Sequence, residues 1–178
     1  MSGVIGQDLQ AKSGLFGYPA GHVLQTKSHR TTSNQANSGG SSDYFVQSNG
    51  GIGSGATSPW GNIVLRNTNS TLVFFLSAFG QWATGTVSGN FADFYTYVRY
   101  STNSDLSSST DTGNIGRVYE DARSTNHVSG QAKDSCSGNI AVTTTYAAGT
   151  TVYYTVKYTT AWTNISDSTL LQVMEVAT

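Results

Sequence analysis

The segment TTVYYTVKYTT, residues Thr150 to Thr160, alternates over most of its length between large apolar side chains and smaller or polar ones. Val152, Tyr154, Val156 and Tyr158 fall on one face of an extended chain, because successive side chains of a strand point to opposite sides. Valine, tyrosine and threonine are also favoured in strands. The segment therefore predicts a strand with one buried face.

Other segments with strand character occur on both sides of it. They are DYFVQ (43–47), NIVLR (62–66), TLVFFLSAF (71–79), FYTYVRY (94–100), residues 117–121, residues 139–146 and LLQVMEV (170–176). Apolar residues at the helical spacing never persist for three turns, so we expect no helix. Short strands joined by polar turns predict an all-β chain, an antiparallel β-sandwich of the jelly-roll type over residues 43–178.

The composition is poor in charge rather than in apolar residues. Serine, threonine, asparagine and glycine make up 80 of the 178 residues, charged residues only 11 %, and the net charge is −1. Nucleic-acid binding is not expected, because it needs a clustered cationic surface. Membrane insertion is not expected either, because no stretch approaches about 18 apolar residues.

The first 42 residues differ from the rest and are predicted to form an extended, glycine-rich N-terminal arm. Ser2-Gly-Val-Ile-Gly6 is echoed by Ser13-Gly-Leu-Phe-Gly17, and each unit places two large apolar residues between glycines. Such units suit insertion into a groove on a neighbouring protein, since glycine allows close backbone approach. The predicted anchors are Val4, Ile5, Leu15 and Phe16. A terminus without fixed contacts is the alternative.

Two predicted strands, TLVFFLSAF (71–79) and LLQVMEV (170–176), are apolar on both faces. In an antiparallel sandwich, one face of a strand normally meets water. We predict that the surplus forms an interface between subunits, with contacts from Val73, Phe75, Phe79, Leu171 and Val173. A central strand covered by a loop is the alternative explanation.

No motif points to catalysis, a cofactor or a metal ion. The three histidines are separated, only Glu120 and Glu175 are glutamates, and no nucleophile elbow is found. Asp105, Asp111 and Asn114 in the polar loop 101–114 offer calcium ligands, but without an EF-hand spacing. We therefore expect no enzyme, no catalytic residues, no cofactor and no metal.

Aromatic residues on strand faces leave sugar recognition open. Tyr95 and Tyr97 on one strand face, or Tyr153 beside Trp162, could form a platform for a sugar ring, and the loop Ser101 to Asn114 could supply polar contacts. Tyrosine is also a common strand and interface residue, which is the simpler explanation of its abundance.

In the segments Thr150 to Tyr158 and Leu170 to Val176, the chain resembles virion proteins of tailed bacteriophages. These proteins often have a Thr-rich aromatic strand followed by a last strand close to Leu-x-x-Met-Glu-Val. Their domain is similar to the C1q/tumour-necrosis-factor jelly roll, which forms tight homotrimers. The resemblance covers about residues 62 to 178.

The resemblance implies a non-enzymatic virion structural protein. We expect a trimeric knob that decorates the capsid or forms a head fibre, assembled in the host cytoplasm and exposed on the particle surface. Its partners would be its own copies and other virion proteins contacted by the arm. The alternative is the receptor-binding domain of a tail fibre that recognises host-surface glycans.

Overall fold

The computed structural model describes residues 19–31, 35–38, 42–55, 58–82, 91–121, 133–160 and 164–178. These residues form twelve strands and no helix. The strands are β1 (Val23–Arg30), β2 (Gln35–Ser38), β3 (Ser42–Val46), β4 (Ile52–Gly53), β5 (Gly61–Val64), β6 (Thr71–Trp82), β7 (Phe91–Ser101), β8 (Thr110–Asp111), β9 (Gly116–Asp121), β10 (Lys133–Thr143), β11 (Thr151–Thr160) and β12 (Asn164–Val176).

The strands form two antiparallel sheets. The first sheet has the order β1-β12-β6-β10, with β2 also paired to β12. The second has the order β4-β3-β11-β7-β8; β5 also pairs with β11, and β9 with β7. Strand β11, which contains the segment that opened the sequence analysis, is therefore central in the second sheet.

The order of the long strands is that of a jelly roll. The chain passes from β1 in the first sheet to β3 and β5 in the second, back to β6, and then to β7 and β9. It continues to β10 in the first sheet, β11 in the second and β12 in the first. Two sheets built by such repeated crossing define the jelly-roll sandwich. The predicted fold class, an all-β antiparallel sandwich of this type, is confirmed.

The core lies between the inner faces of the two sheets. The apolar face predicted for β11 is buried, since Val152, Tyr154, Val156 and Tyr158 have no exposed surface. Leu72, Phe74 and Leu76 of β6, with Leu171 and Val173 of β12, pack against it from the first sheet. Side chains at alternate positions thus meet from both sheets, as expected for a sandwich.

The boundary predicted between an arm (1–42) and a domain (43–178) is corrected. Strand β1, Val23–Arg30, pairs with β12 from Val23 to Arg30 with a register shift between Val23 and Gln25, and Leu24 is buried. Strand β2 pairs with β12 as well. These residues belong to the sandwich because they supply its edge. Residues 1–18 lie outside the described residues, so the predicted anchors Val4, Ile5, Leu15 and Phe16 remain a prediction.

Candidate functional site

The middle of the outer face of the first sheet is uncharged and partly apolar. Over residues 71–77 of β6, 135–143 of β10 and 170–176 of β12, the outward-facing residues are small, polar or apolar, and none of them carries a charge. The exposed Arg30 of β1, which is paired with Leu170, lies at the edge of this face. The apolar members are Val73, Phe75, Ala141, Leu170, Met174 and Val176. Phe75 and Leu170 are 36 % and 44 % exposed. This face has the character of an interface core, where charged residues are depleted.

A shallow depression lies beside these two side chains. It has a volume of ≈ 440 Å³ and is lined by residues of β6, β10 and β12, among them Phe75, Ser137, Asn139, Leu170 and Gln172. A projecting aromatic ring therefore stands next to a recess in the same face, a shape into which a side chain of a second molecule could pack.

The predicted interface residues fall into three groups. Val73 and Phe75 lie on this outer face, half-buried and exposed respectively. Leu171 and Val173 are corrected to core residues: both are fully buried between the sheets of a single chain, so they have no surface for a second subunit. The side chain of Phe79 lies outside the described part of the structure.

The outer face of the second sheet carries a network of charges. Arg99 on β7 donates two hydrogen bonds to Asp111 on β8, from Nε to Oδ1 (2.6 Å) and from Nη2 to Oδ2 (2.9 Å). Lys157 on β11 lies between two carboxylates, 2.8 Å from Asp111 Oδ2 and 2.9 Å from Asp43 Oδ2. Two cations and two anions thus balance one another across four strands.

The pairing changes how these groups titrate. Burial alone would raise the pKa of the Asp111 carboxyl, but hydrogen bonds and charges from Arg99 and Lys157 outweigh it and lower the pKa. Burial alone would lower the pKa of the Lys157 ammonium, and its two carboxylate partners raise it instead. Asp111 and Lys157 are consequently both ionised at neutral pH. Asp111, one of the calcium ligands considered from sequence, thus pairs with Arg99 and Lys157.

Aromatic rings lie among these charges. The guanidinium of Arg99 lies 4.7 Å from the ring centre of Phe45, and that of Arg117 lies 5.2 Å from the ring centre of Tyr95. Lys157 Nζ is 5.5 Å from the ring centre of Tyr97. Such distances are within the range of cation–π attraction.

The tyrosines considered from sequence as alternative platforms occupy one face. Tyr95, Tyr97 and Tyr153 are all half-buried. Tyr97 lies opposite Lys157, and Tyr153 lies opposite Ser101, which places all three on the outer face of the second sheet. Trp162, the partner proposed for Tyr153, lies outside the described residues. Tyr153 borders a polar cleft formed with the loop that follows β7.

Neither a metal site nor a membrane-spanning helix is found in the part of the chain that the structure describes. No group of three or more His, Cys, Asp or Glu side chains is arranged there to hold a metal ion. No helix long and apolar enough to cross a membrane occurs in the same residues.

No protein-family model matches this chain, and no curated protein matches it. Solved structures similar to it include a subviral particle of the infectious bursal disease virus protein VP2 (11 % identity, TM-score 0.42, 84 % of this chain and 32 % of that chain). A second is the TNF Eiger from S. frugiperda (12 % identity, TM-score 0.35, 66 % of this chain and 65 % of that chain). A third is the CBM22-1 xylan-binding domain of Xyn10C from Paenibacillus barcinonensis (16 % identity, TM-score 0.32, 90 % of this chain and 99 % of that chain).

The chain spans about a third of the length of the viral protein and 65 % of the TNF chain. Identity and TM-score are low in all three cases. The likeness therefore transfers neither function nor partner, and the jelly-roll assignment rests on the strand order described above.

Proposed function

We propose that this chain is a non-enzymatic structural protein of a bacteriophage virion, and that its copies associate through the outer face of the first sheet. The observation that carries the proposal is the uncharged, partly apolar middle of that face, formed by β6, β10 and β12. The sequence resemblance of Thr150 to Tyr158 and Leu170 to Val176 to phage virion proteins supports the particle as its location.

We expect the binding partner of this face to be another copy of the chain. Around a three-fold axis the equivalent faces of all copies lie near one another, so like charges at their centre would repel. The outward positions of residues 71–77, 135–143 and 170–176 carry no charge, and Arg30 lies at the edge of the face. The outer face of the second sheet, with Arg99, Lys157, Asp43 and Asp111, is much less suited to contact with itself. Burying a Leu or Phe side chain contributes about 1.5–3 kcal/mol relative to full exposure, so Phe75 and Leu170 are the expected anchors.

The resemblance supports a homotrimer exposed as a knob on the particle. In this proposal the N-terminal arm reaches the capsid or another virion protein, and Val4, Ile5, Leu15 and Phe16 insert into its surface. The protein decorates the capsid or forms a head fibre, and it carries out no chemical reaction.

Sedimentation velocity at micromolar concentration tests the interface. We expect the wild type to sediment as a trimer and the double variant Phe75→Thr/Leu170→Thr to sediment as a folded monomer. Threonine keeps a high strand preference, so the strands are retained. Tyr97→Thr is the matched control on the opposite face and should remain trimeric. A monomeric wild type, or an unchanged double variant, would contradict the proposal.

A particle-incorporation assay tests the arm. Replacing Val4, Ile5, Leu15 and Phe16 by Ser should abolish incorporation while leaving the soluble trimer intact. The matched control replaces Gln7, Asp8, Gln10 and Lys12 by Ser in the same arm and should incorporate normally. Normal incorporation of the first variant would show that these four residues are not anchors.

A second candidate function is receptor binding by a tail fibre that recognises host-surface glycans. The observation that favours it is the position of Tyr153 beside the polar cleft on the second sheet. This cleft and the proposed subunit interface lie on opposite sides of the sandwich, so the two functions are compatible in one protein.

A further inference from the structure

We propose that the cleft between the loop Ser101–Ser107 and Tyr153 is a carbohydrate site that accepts a neutral or amino sugar and excludes acidic sugars. This inference deepens the second candidate function by naming the subsite and the charge of its ligand. It does not depend on the proposed subunit interface.

The cleft is open and has a volume of ≈ 520 Å³. It lies where the chain leaves β7, next to the first residues of β11. Its lining comprises Thr102, Asn103, Ser104, Asp105, Ser107 and Tyr153. Five of these residues are short and polar, and Tyr153 is the one aromatic residue among them.

The loop is held in one conformation by its own hydrogen bonds. Ser101 Oγ donates to the carbonyl oxygen of Ser107 (2.6 Å), and Asn103 Nδ2 donates to the same oxygen (3.1 Å) and to Ser107 Oγ (3.0 Å). The Ser107 amide donates to Asp105 Oδ1 (2.9 Å). A ligand would find these groups already ordered, so little conformational entropy is lost on binding.

A buried apolar side chain fixes the same loop to the domain. Leu106 is only 4 % exposed and has a φ of 59°, and Ser108 has a φ of 50°. Residues other than glycine rarely adopt this left-handed conformation, which costs free energy and persists only where surrounding contacts impose it. Such strained positions cluster at binding sites, which agrees with a functional loop.

The lining groups match the chemistry of a sugar ring. A pyranose presents an apolar face of C–H groups, for which the half-buried ring of Tyr153 is a suitable platform. Its hydroxyl groups need donors and acceptors at short range, which the exposed Thr102, Ser104 and Asp105 side chains provide.

Charge selects the class of sugar. Asp105 is the only charged residue in the lining, and hydrogen bonds from the Ser107 hydroxyl and amide lower the pKa of its carboxyl. It is therefore ionised at neutral pH. No Lys or Arg lines the cleft, and Arg99 and Lys157 of the same outer face are paired with aspartates. A uronic or sialic acid would meet a negative charge without a cation to balance it.

The test is an array of neutral, amino and acidic oligosaccharides probed with the full chain at neutral pH. We expect saturable binding to neutral or amino members and none to acidic members. Tyr153→Thr should weaken this binding about tenfold, the effect of losing one aromatic contact. Tyr97→Thr is the matched control, with the same substitution on the same face outside the cleft, and should bind like the wild type.

Asp105→Asn tests the charge separately, because asparagine keeps the oxygen that accepts the Ser107 amide hydrogen. We expect it to weaken binding of amino sugars several-fold and to remove the exclusion of acidic ones. Absence of binding to every member, equal loss in Tyr153→Thr and Tyr97→Thr, or preferential binding of acidic sugars by the wild type would overturn the inference. None of these results tests the trimer. Its proposed interface is on the opposite face of the sandwich and is tested separately by sedimentation.

Discussion

Glu175 Oε1 accepts a hydrogen bond from Ser70 Oγ at 2.6 Å, and neither residue has any exposed surface. The same oxygen accepts the backbone amides of Arg66 (2.7 Å) and Asn67 (3.0 Å), and Oε2 accepts Gln25 Nε2 (2.6 Å). A buried carboxylate thus joins β12, β1 and the connection between β5 and β6. It is tolerated inside the sandwich because four donors replace its water.

We expect Glu175→Ala to lower the free energy of unfolding by about 3–5 kcal/mol, because it leaves the donors without an acceptor. Glu175→Gln should cost less, since it keeps one acceptor oxygen. Urea unfolding at fixed protein concentration measures both. Asn62→Ala, at an exposed position of β5 outside the proposed interface, is the control and should change stability by less than about 0.5 kcal/mol. A loss for Glu175→Ala as small as that of the control would contradict this account.

Glu175 also explains why the sequence predicted the wrong face of β12. The strand is apolar on both sides, with Leu170 and Met174 on one face and Leu171 and Val173 on the other. Glu175 shares a face with the second pair, so alternation alone suggests that this face is the exposed one. The hydrogen bonds to Glu175 come from segments more than 100 residues away, so no local sequence pattern predicts them. Leu170 and Met174 were missed as outward-facing residues for the same reason.

Strand β1 was missed because its sequence, VLQTKSHR, is polar almost throughout. An edge strand pairs on only one side, and most of its side chains remain exposed, so the backbone pairing with β12 leaves little hydrophobic signal. By contrast, β6, β7 and β11 were predicted because their apolar residues recur on one buried face. For the cleft, the sequence predicted the polar loop and the candidate Tyr153 separately. It could not show that the two are neighbours, because only the pairing of β7 with β11 brings them together.

His29 gives a pH dependence that is open to direct measurement. Its Nε2 lies 2.8 Å from the Tyr154 hydroxyl, and its ring centre lies 5.5 Å from that of Trp60. Burial, and secondarily the charge of Lys27, lower the pKa of His29 below its ordinary 6.5. The unfolded chain therefore takes up a proton more readily than the folded one. We expect stability to fall as the pH is lowered through about 6.5, until the folded chain is protonated too.

Replacing His29 by Asn should flatten this part of the pH profile, as measured by urea unfolding between pH 5 and 8. Asn62, exposed on β5 and not titratable, provides the control: Asn62→Ala should leave the slope unchanged. If the slope persists in His29→Asn, the proton uptake must be assigned to another group.

Asp111 should govern part of the stability at lower pH. Its folded-state pKa lies below the ordinary 3.8 because Arg99 and Lys157 stabilise the carboxylate. The stabilisation is present above the unfolded-state pKa and is lost as the pH falls through the folded-state value. Asp111→Asn should therefore reduce stability at neutral pH and make the acid limb shallower. Unfolding curves recorded down to about pH 2 measure both effects; an acid limb as steep as that of the wild type would exclude this role.

Gly138 marks the closest approach between β10 and the segment that precedes β9. A Cβ at this position would overlap the backbone oxygen of Ile115. That oxygen is not free to move away, because the Ile115 amide is itself bonded to the Thr96 carbonyl (2.8 Å) in the second sheet. We expect Gly138→Ala to destabilise the fold by about 1–3 kcal/mol through overpacking. Gly55→Ala is the matched control, since nothing lies within 4 Å of its Cβ position, and equal stability of the two variants in urea would show that the sheet edges separate without cost.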